Sequence, residues 1–167
     1  MNLNQIPKSD IVLIDANIIL YALRGKSEQC KRLIRRNAEG EVYAVTTPHI
    51  VAEVMHRLMV AEARENGWIT GSNPARQLGE QPERVKMLFR YEQAIKSFFA
   101  TGVRFEPVEK EDFITAMRIQ RESGLLTNDA LLVAISERLR IQAIASADKT
   151  FAQVRGVILY SPDDLET

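Results

Sequence analysis

The sequence predicts an α/β fold, a three-layer sandwich whose central parallel sheet of four to five strands is flanked by helices. Three observations carry this. Short apolar, β-branched runs recur along the 167 residues, as buried strands require. Longer stretches with apolar residues at helical spacing lie between them, and strands joined through helices pair in parallel. Acidic residues follow two of the strand-like runs, at the position where sheets of this kind keep their ligand crevice.

The elements follow in order. Ile11, Val12, Leu13 and Ile14 form the first strand, and residues 18–24 continue into a helix. Ser27 is placed to cap a second helix running to Asn37, with Cys30, Leu33 and Ile34 as its apolar stripe. Gly40 ends it, and residues 42–46 form another strand. Thr47-Pro48 is a cap followed by proline at the first helical position, and it opens a helix carrying Ile50, Val51, Val54, Leu58 and Met59. That stripe fades near Gly67. Gly67, Gly71, Pro74, Gly79 and Pro82 then mark residues 67–82 as a connection with room for a short helical turn. A helix over residues 82–99 points Val85, Leu88, Phe89, Ala94 and Phe98 inward, and residues 103–108 form a strand. Helices over residues 110–123 and 127–140 and strands over 142–146 and 157–160 close the series. The expected organisation is one domain across residues 1–167, with an extended helical or loop insertion around 62–83. The apolar stripes near Met55, Met59 and Met87 suit either the core or a subunit seam.

Composition narrows the function classes. Hydrophobic residues make up 46% and charged residues 26% of the chain, which excludes a disordered polymer. The formal net charge is zero, so any nucleic-acid surface must be local. The one cysteine, Cys30, permits no internal disulfide and fits a reducing compartment. The first ten residues lack the apolar core of a signal peptide, and no apolar run approaches a membrane span. The expected location is the cytoplasm, with no membrane association.

Four acids carry the functional reading. Asp15 ends the first strand, Glu53 lies in the first turns of the helix from Pro48, Asp129 follows Thr127-Asn128 at a helix start, and Asp148 follows a late strand and Ser146. Each taken singly has an ordinary explanation. Asp129 suits the positive end of a helix, Glu53 pairs with Arg57 four residues on, and Asp148 suits a turn before Lys149. Asp15 resists this, because an acid directly after four buried apolar residues needs a partner. Converging carboxylates repel one another unless a cation lies among them, and Mg²⁺ or Mn²⁺ prefers carboxylate and water oxygens. Such an ion points to chemistry on phosphate. Asn17, Ser146 and Asn128 are the polar neighbours placed to support the carboxylates.

The flanking residues carry a family resemblance. Ile11-Val12-Leu13-Ile14-Asp15-Ala16-Asn17 resembles the opening motif of PIN-domain ribonucleases, and Thr47-Pro48-His49-Ile50-Val51-Ala52-Glu53 resembles their second. Thr127-Asn128-Asp129-Ala130 is similar to the third, and Ile144-Ala145-Ser146-Ala147-Asp148 to the fourth. Position 16 departs from the pattern, being Ala where many relatives carry a hydroxyl. The resemblance implies a Mg²⁺- or Mn²⁺-dependent endoribonuclease in which Asp15, Glu53, Asp129 and Asp148 are the catalytic and metal-holding residues. It also implies a VapC-type toxin, usually a homodimer, with RNA as substrate and a small antitoxin protein as partner. A catalytically silent PIN-like module that binds RNA or protein, and a DNA-directed nuclease on the same site, are the alternatives.

Two further features bear on this. His49, Glu53 and His56 share helical spacing, but these are the chain's two histidines, so no further imidazole or thiol at hand completes a zinc site. Arg24, Lys26, Lys31, Arg32, Arg35 and Arg36 face Glu28 and Glu39 within residues 21–40. Arg24, Lys31, Arg32 and Arg35 are the candidates from this basic stretch for an RNA backbone.

Overall fold

The computed structural model describes residues 1–165. Its sheet has five parallel strands: β1 (Ile11–Ile14), β2 (Tyr43–Thr46), β3 (Arg104–Phe105), β4 (Ala143–Ala145) and β5 (Ile158–Tyr160). Their order is β3-β2-β1-β4-β5. Leu13 sits beside Val45 on one side and Ile144 on the other, so β1 is the middle strand. Val12, Leu13 and Ile14 have no exposure at all, as expected of a strand covered on both faces. The chain runs outward from β1 to β2 and β3, then returns to the other side of β1 for β4 and β5. The boundary between β1 and β4 is therefore the point where strand order reverses, and a crevice opens there at the carboxyl ends.

Helices α1 (Ala16–Leu23), α2 (Glu28–Ala38), α3 (Pro48–Glu65), α7 (Lys110–Ser123) and α8 (Thr127–Leu139) cover the sheet. Local chemistry explains several of their ends. Asp15 caps α1 by accepting from the Ala16 amide at 2.6 Å, so the helix starts two residues before the expected position. Ser27 caps α2 by accepting from the Cys30 amide at 3.0 Å. α7 ends at Gly124 with φ of 73°, a left-handed conformation that glycine adopts without strain. α8 is buried from Ala130 through Ser136, which explains why its apolar residues run together rather than forming one stripe. Cys30 lies in the core, where burial pushes its thiol up to about 11.

Three expectations change. Residues 82–99 are not one helix: α5 (Pro82–Val85) stops, and α6 (Arg90–Phe99) begins anew. The cause is Glu62 on α3, 4% exposed, whose carboxylate accepts from the amides of Phe89 (3.0 Å), Arg90 (3.2 Å) and Tyr91 (2.9 Å). A carboxylate there satisfies the orphan donors of a helix start. Burial alone would raise the Glu62 pKa, yet these three amides and Arg90 bring it below the usual value. Phe89, expected inward, is 57% exposed. The strand expected over residues 103–108 shrinks to Arg104 and Phe105, because Pro107 offers no donor and the strand lies at the sheet edge. The connection over residues 67–82 contains α4 (Pro74–Gly79), capped by Asn73.

This stretch carries its own small apolar cluster. Ala63, Ile69, Leu78 and Leu88 are buried together, with Met59 and Trp68 packed against them. Met55 packs on the main core, and Met87 is 62% exposed. Among the described residues, no helix is long and apolar enough to cross a membrane.

Candidate active site

The crevice at the β1/β4 boundary gathers residues from four chain segments. Asp15 leaves the end of β1, its amide donating to the Ala145 carbonyl of β4 at 3.0 Å. It is 6% exposed and strongly held. Its Oδ1 accepts from the Ala16 amide, and its Oδ2 accepts from the Asn17 side chain and from Ser146 Oγ at 2.7 Å. Asn17 also accepts from the Ala147 amide at 2.9 Å, so it ties the α1 start to the turn after β4. Ser146 Oγ accepts from the Asp148 amide at 3.0 Å. Two polar side chains, Asn17 and Ser146, thus lock two strand ends together around one carboxylate.

Glu53 reaches in from α3. Its Oε2 accepts from Asn128 Nδ2 at 3.0 Å, and its Oε1 pairs with Arg57 at 3.3 Å. The expected surface pair with Arg57 exists, and the cross-element bond to Asn128 brings the α8 start to the same place. Asp129 stands in the first turn of α8, which is preceded by Leu126 as cap residue. Asp148 caps the short 3-10 turn Lys149–Gln153, accepting from the Thr150 amide at 2.8 Å. Its turn role is real and leaves its charge facing the others.

Charge coupling shows the convergence. Asp129 is pushed up to about 6, first by burial and then by the charges of Asp15, Asp148 and Glu53. Asp15 is raised by burial, opposed by its bonds to Ser146 and Ala16, and raised again by Glu53 and Asp148. Four neighbouring carboxylates supply only hard oxygen donors, which suits a hard divalent cation. No group of three His, Cys, Asp or Glu side chains among the described residues is placed to hold a metal directly. Mg²⁺ commonly takes one or two carboxylates and keeps several waters, so the donor set fits that ion with water completing its shell. His49 faces Thr47 Oγ1 at 3.0 Å and leaves its buried Nε2 unpartnered. His56 lies elsewhere, on a groove between α1 and α3.

The cluster has a consequence for stability. With a folded pKa near 6 against an ordinary 3.8, ionised Asp129 destabilises the metal-free protein fully above about pH 6, and the penalty vanishes below about pH 4. Asp129→Asn should therefore raise unfolding free energy at pH 8 by ~1–2 kcal/mol, discounted for partial exposure. Denaturant unfolding in chelator at pH 8 and pH 4 checks this. Equal effects at both pH values would remove the charge coupling.

The basic stretch divides. Arg24 lines the α1/α3 groove and pairs with Glu65 at 3.2 Å. Lys31 pairs with Glu28 at 2.6 Å, and Arg32 and Arg35 border a separate depression with Glu28 and Asp164. The groove also takes Arg57 and Arg64 from α3. Arg64 lies outside the basic stretch of residues 21–40, yet Arg57 and Arg64 stand seven residues apart on one helix face, a spacing visible in the sequence.

A family model described as the PIN domain matches residues 12–157. No curated protein matches the chain. Among solved structures, the chain resembles VapBC2 from Rickettsia felis bound to a DNA fragment from their promoter. The TM-score is 0.60 at 14% identity, covering 92% of this chain and 99% of that one. It also resembles a toxin–antitoxin complex from Klebsiella pneumoniae, with TM-score 0.53 and 16% identity, covering 88% of this chain and 95% of the other.

Proposed function

Since this chain belongs to the PIN-domain family, we propose that it is a Mg²⁺- or Mn²⁺-dependent endoribonuclease, the toxin of a toxin–antitoxin pair. The observation that carries this is the approach of Glu53, Asp129 and Asp148 to the buried Asp15 at the crevice, close enough that their charges raise the Asp15 and Asp129 carboxyls. One or two of these four carboxylates would hold the ion directly and the others through its bound waters. When bound, such an ion supplies a water of lowered pKa and neutralises charge developing on a phosphodiester.

The surrounding side chains position the carboxylates. Asn17 and Ser146 fix one Asp15 oxygen and leave the carboxylate a single orientation. Asn128 and Arg57 do the same for Glu53. Such preorganisation matters because a carboxylate displaced by about 1 Å loses much of its effect. Arg24, Lys31, Arg32 and Arg35 are proposed as contacts to the RNA backbone outside the crevice.

The toxin reading draws support from the two structural relatives, VapBC2 of Rickettsia felis and a toxin–antitoxin complex of Klebsiella pneumoniae. It includes a small antitoxin partner and a homodimer. The exposed apolar side chains of Phe113, Ile114 and Met117 on α7 offer a face for association.

The test compares single-stranded RNA, single-stranded DNA and flap DNA with purified protein in Mg²⁺, in Mn²⁺ and in excess chelator. Cleavage of RNA alone, lost in chelator and in Asp129→Asn, is the expected result. Selective cleavage of either DNA moves the reading to a DNA nuclease. No cleavage, with RNA still bound, leaves a silent binding module.

A further inference from the structure

The groove between α1 and α3 has a volume of about 1030 Å³. It adjoins the acid cluster through Arg57, a wall residue that pairs with Glu53 at 3.3 Å. Its other wall is α1, the helix capped by Asp15. Both helices leave the crevice at their N-terminal ends, so the groove leads away from it. From Glu53 to Arg64 along α3 spans roughly 16 Å at 1.5 Å per residue. That length accommodates several stacked nucleotides at ~3.4 Å each.

Its lining suits a polyanion with bases. Arg57 and Arg64 stand on α3, and Arg24 and Lys26 at the end of α1. Lys26 and Arg64 have no carboxylate partner among the described residues, where the ion pairs involve other side chains. Among the described lining residues, Glu65 offsets the groove's own Arg24 and also pairs with Arg90. Asp164 is held at the α2 start, where it accepts from Ser27 Oγ and the Gln29 amide. Tyr21 adds an aromatic ring to the wall. Cations that follow a backbone, with an aromatic surface for bases, are the usual means of holding a single strand without sequence preference.

We propose that this α1/α3 groove receives the phosphate backbone of single-stranded RNA on one side of the scissile bond, with Lys26 and Arg64 as its principal anchors. It rests on the nuclease reading of the crevice and extends it to substrate binding. An acidic peptide shares the charge preference, but the Arg57–Glu53 pair, which joins the groove wall to the acid cluster, favours the strand that the cluster acts on.

The test uses the full chain in chelator, so that binding is read without cleavage. A fluorescein-labelled oligouridylate is titrated by anisotropy at several salt concentrations. Lys26→Glu combined with Arg64→Glu should weaken binding about 10- to 100-fold. It should also flatten the salt dependence by more than one unit of slope, from the loss of about 0.7 per phosphate contact and the added repulsion. Arg32→Glu combined with Arg35→Glu, on the separate depression, should weaken it less. Unchanged RNA affinity in the groove variant overturns the inference while leaving wild-type cleavage, and so the nuclease reading, intact. Loss of binding to a polyglutamate probe with RNA binding retained also overturns it and assigns the groove to an acidic protein segment. Wild-type protein that neither binds nor cleaves RNA overturns both readings.

Discussion

Asp15→Asn should slow RNA cleavage by about 1000-fold or more while leaving unfolding free energy within about 1 kcal/mol of wild type. The loss follows from position. Asp15 is the most deeply set of the four acids at 6% exposure, and its orientation is fixed by Ala16, Asn17 and Ser146. The substitution removes one negative charge and turns one oxygen into a donor. The remaining oxygen still caps α1 through the Ala16 amide. Ser146 can rotate its hydroxyl to accept, and relief of a buried charge offsets what is lost against Asn17. Cleavage rates under single-turnover conditions, with thermal unfolding in parallel, read the two effects separately. A rate near wild type in a folded variant would sink the proposed role of the acids.

Arg138→Met should cost ~3–5 kcal/mol of stability, because it strands buried charges rather than removing a surface pair. Arg138 on α8 donates from Nε and Nη2 to both oxygens of Asp112 at 2.8 and 3.0 Å, and from Nη1 to Glu106 at 2.9 Å. Its Nη2 also donates to the Pro107 carbonyl at 2.9 Å. Asp112 is 2% exposed and Glu106 7%. This fork ties α8 to α7 and to the segment after β3. Arg138→Lys should recover little, since an ammonium does not reproduce two parallel bonds. Adding Asp112→Leu to Arg138→Met should recover part of the loss.

Burial would raise the Asp112 carboxyl, but the Arg138 guanidinium and the Glu109 amide hold it below its usual value. The contribution is therefore present above about pH 4 and fades as pH falls through the lowered value. Denaturant unfolding at pH 7 and pH 3 measures it. A cost under about 1 kcal/mol at pH 7 would mean the two carboxylates find water without their partner.

Elements whose cause is local were legible in the sequence. β1 spans Ile11–Ile14 and α7 spans Lys110–Ser123, both as expected, because an apolar run and a glycine stop are neighbours in the chain. Ser27 caps α2 for the same reason. The break before α6 was not legible, since the carboxylate that starts it belongs to Glu62, 27 residues away from Phe89. Nor was the division of the basic stretch, because side chains close in sequence on α1 and α2 end on different surfaces.

By itself, then, the sequence determined that β-branched runs alternate with helices and that four acids stand at their ends. It also determined the family, because those acids sit in motifs a few residues long. Tertiary structure alone decided that the order β3-β2-β1-β4-β5 puts the ends of β1 and β4 side by side. It also decided that Asn17 and Ser146, 129 residues apart, grip the same carboxylate. The physical reason is that propensity and capping act over a few residues. Charge coupling, burial and the walls of a groove depend on which segments the sheet brings within a few ångströms.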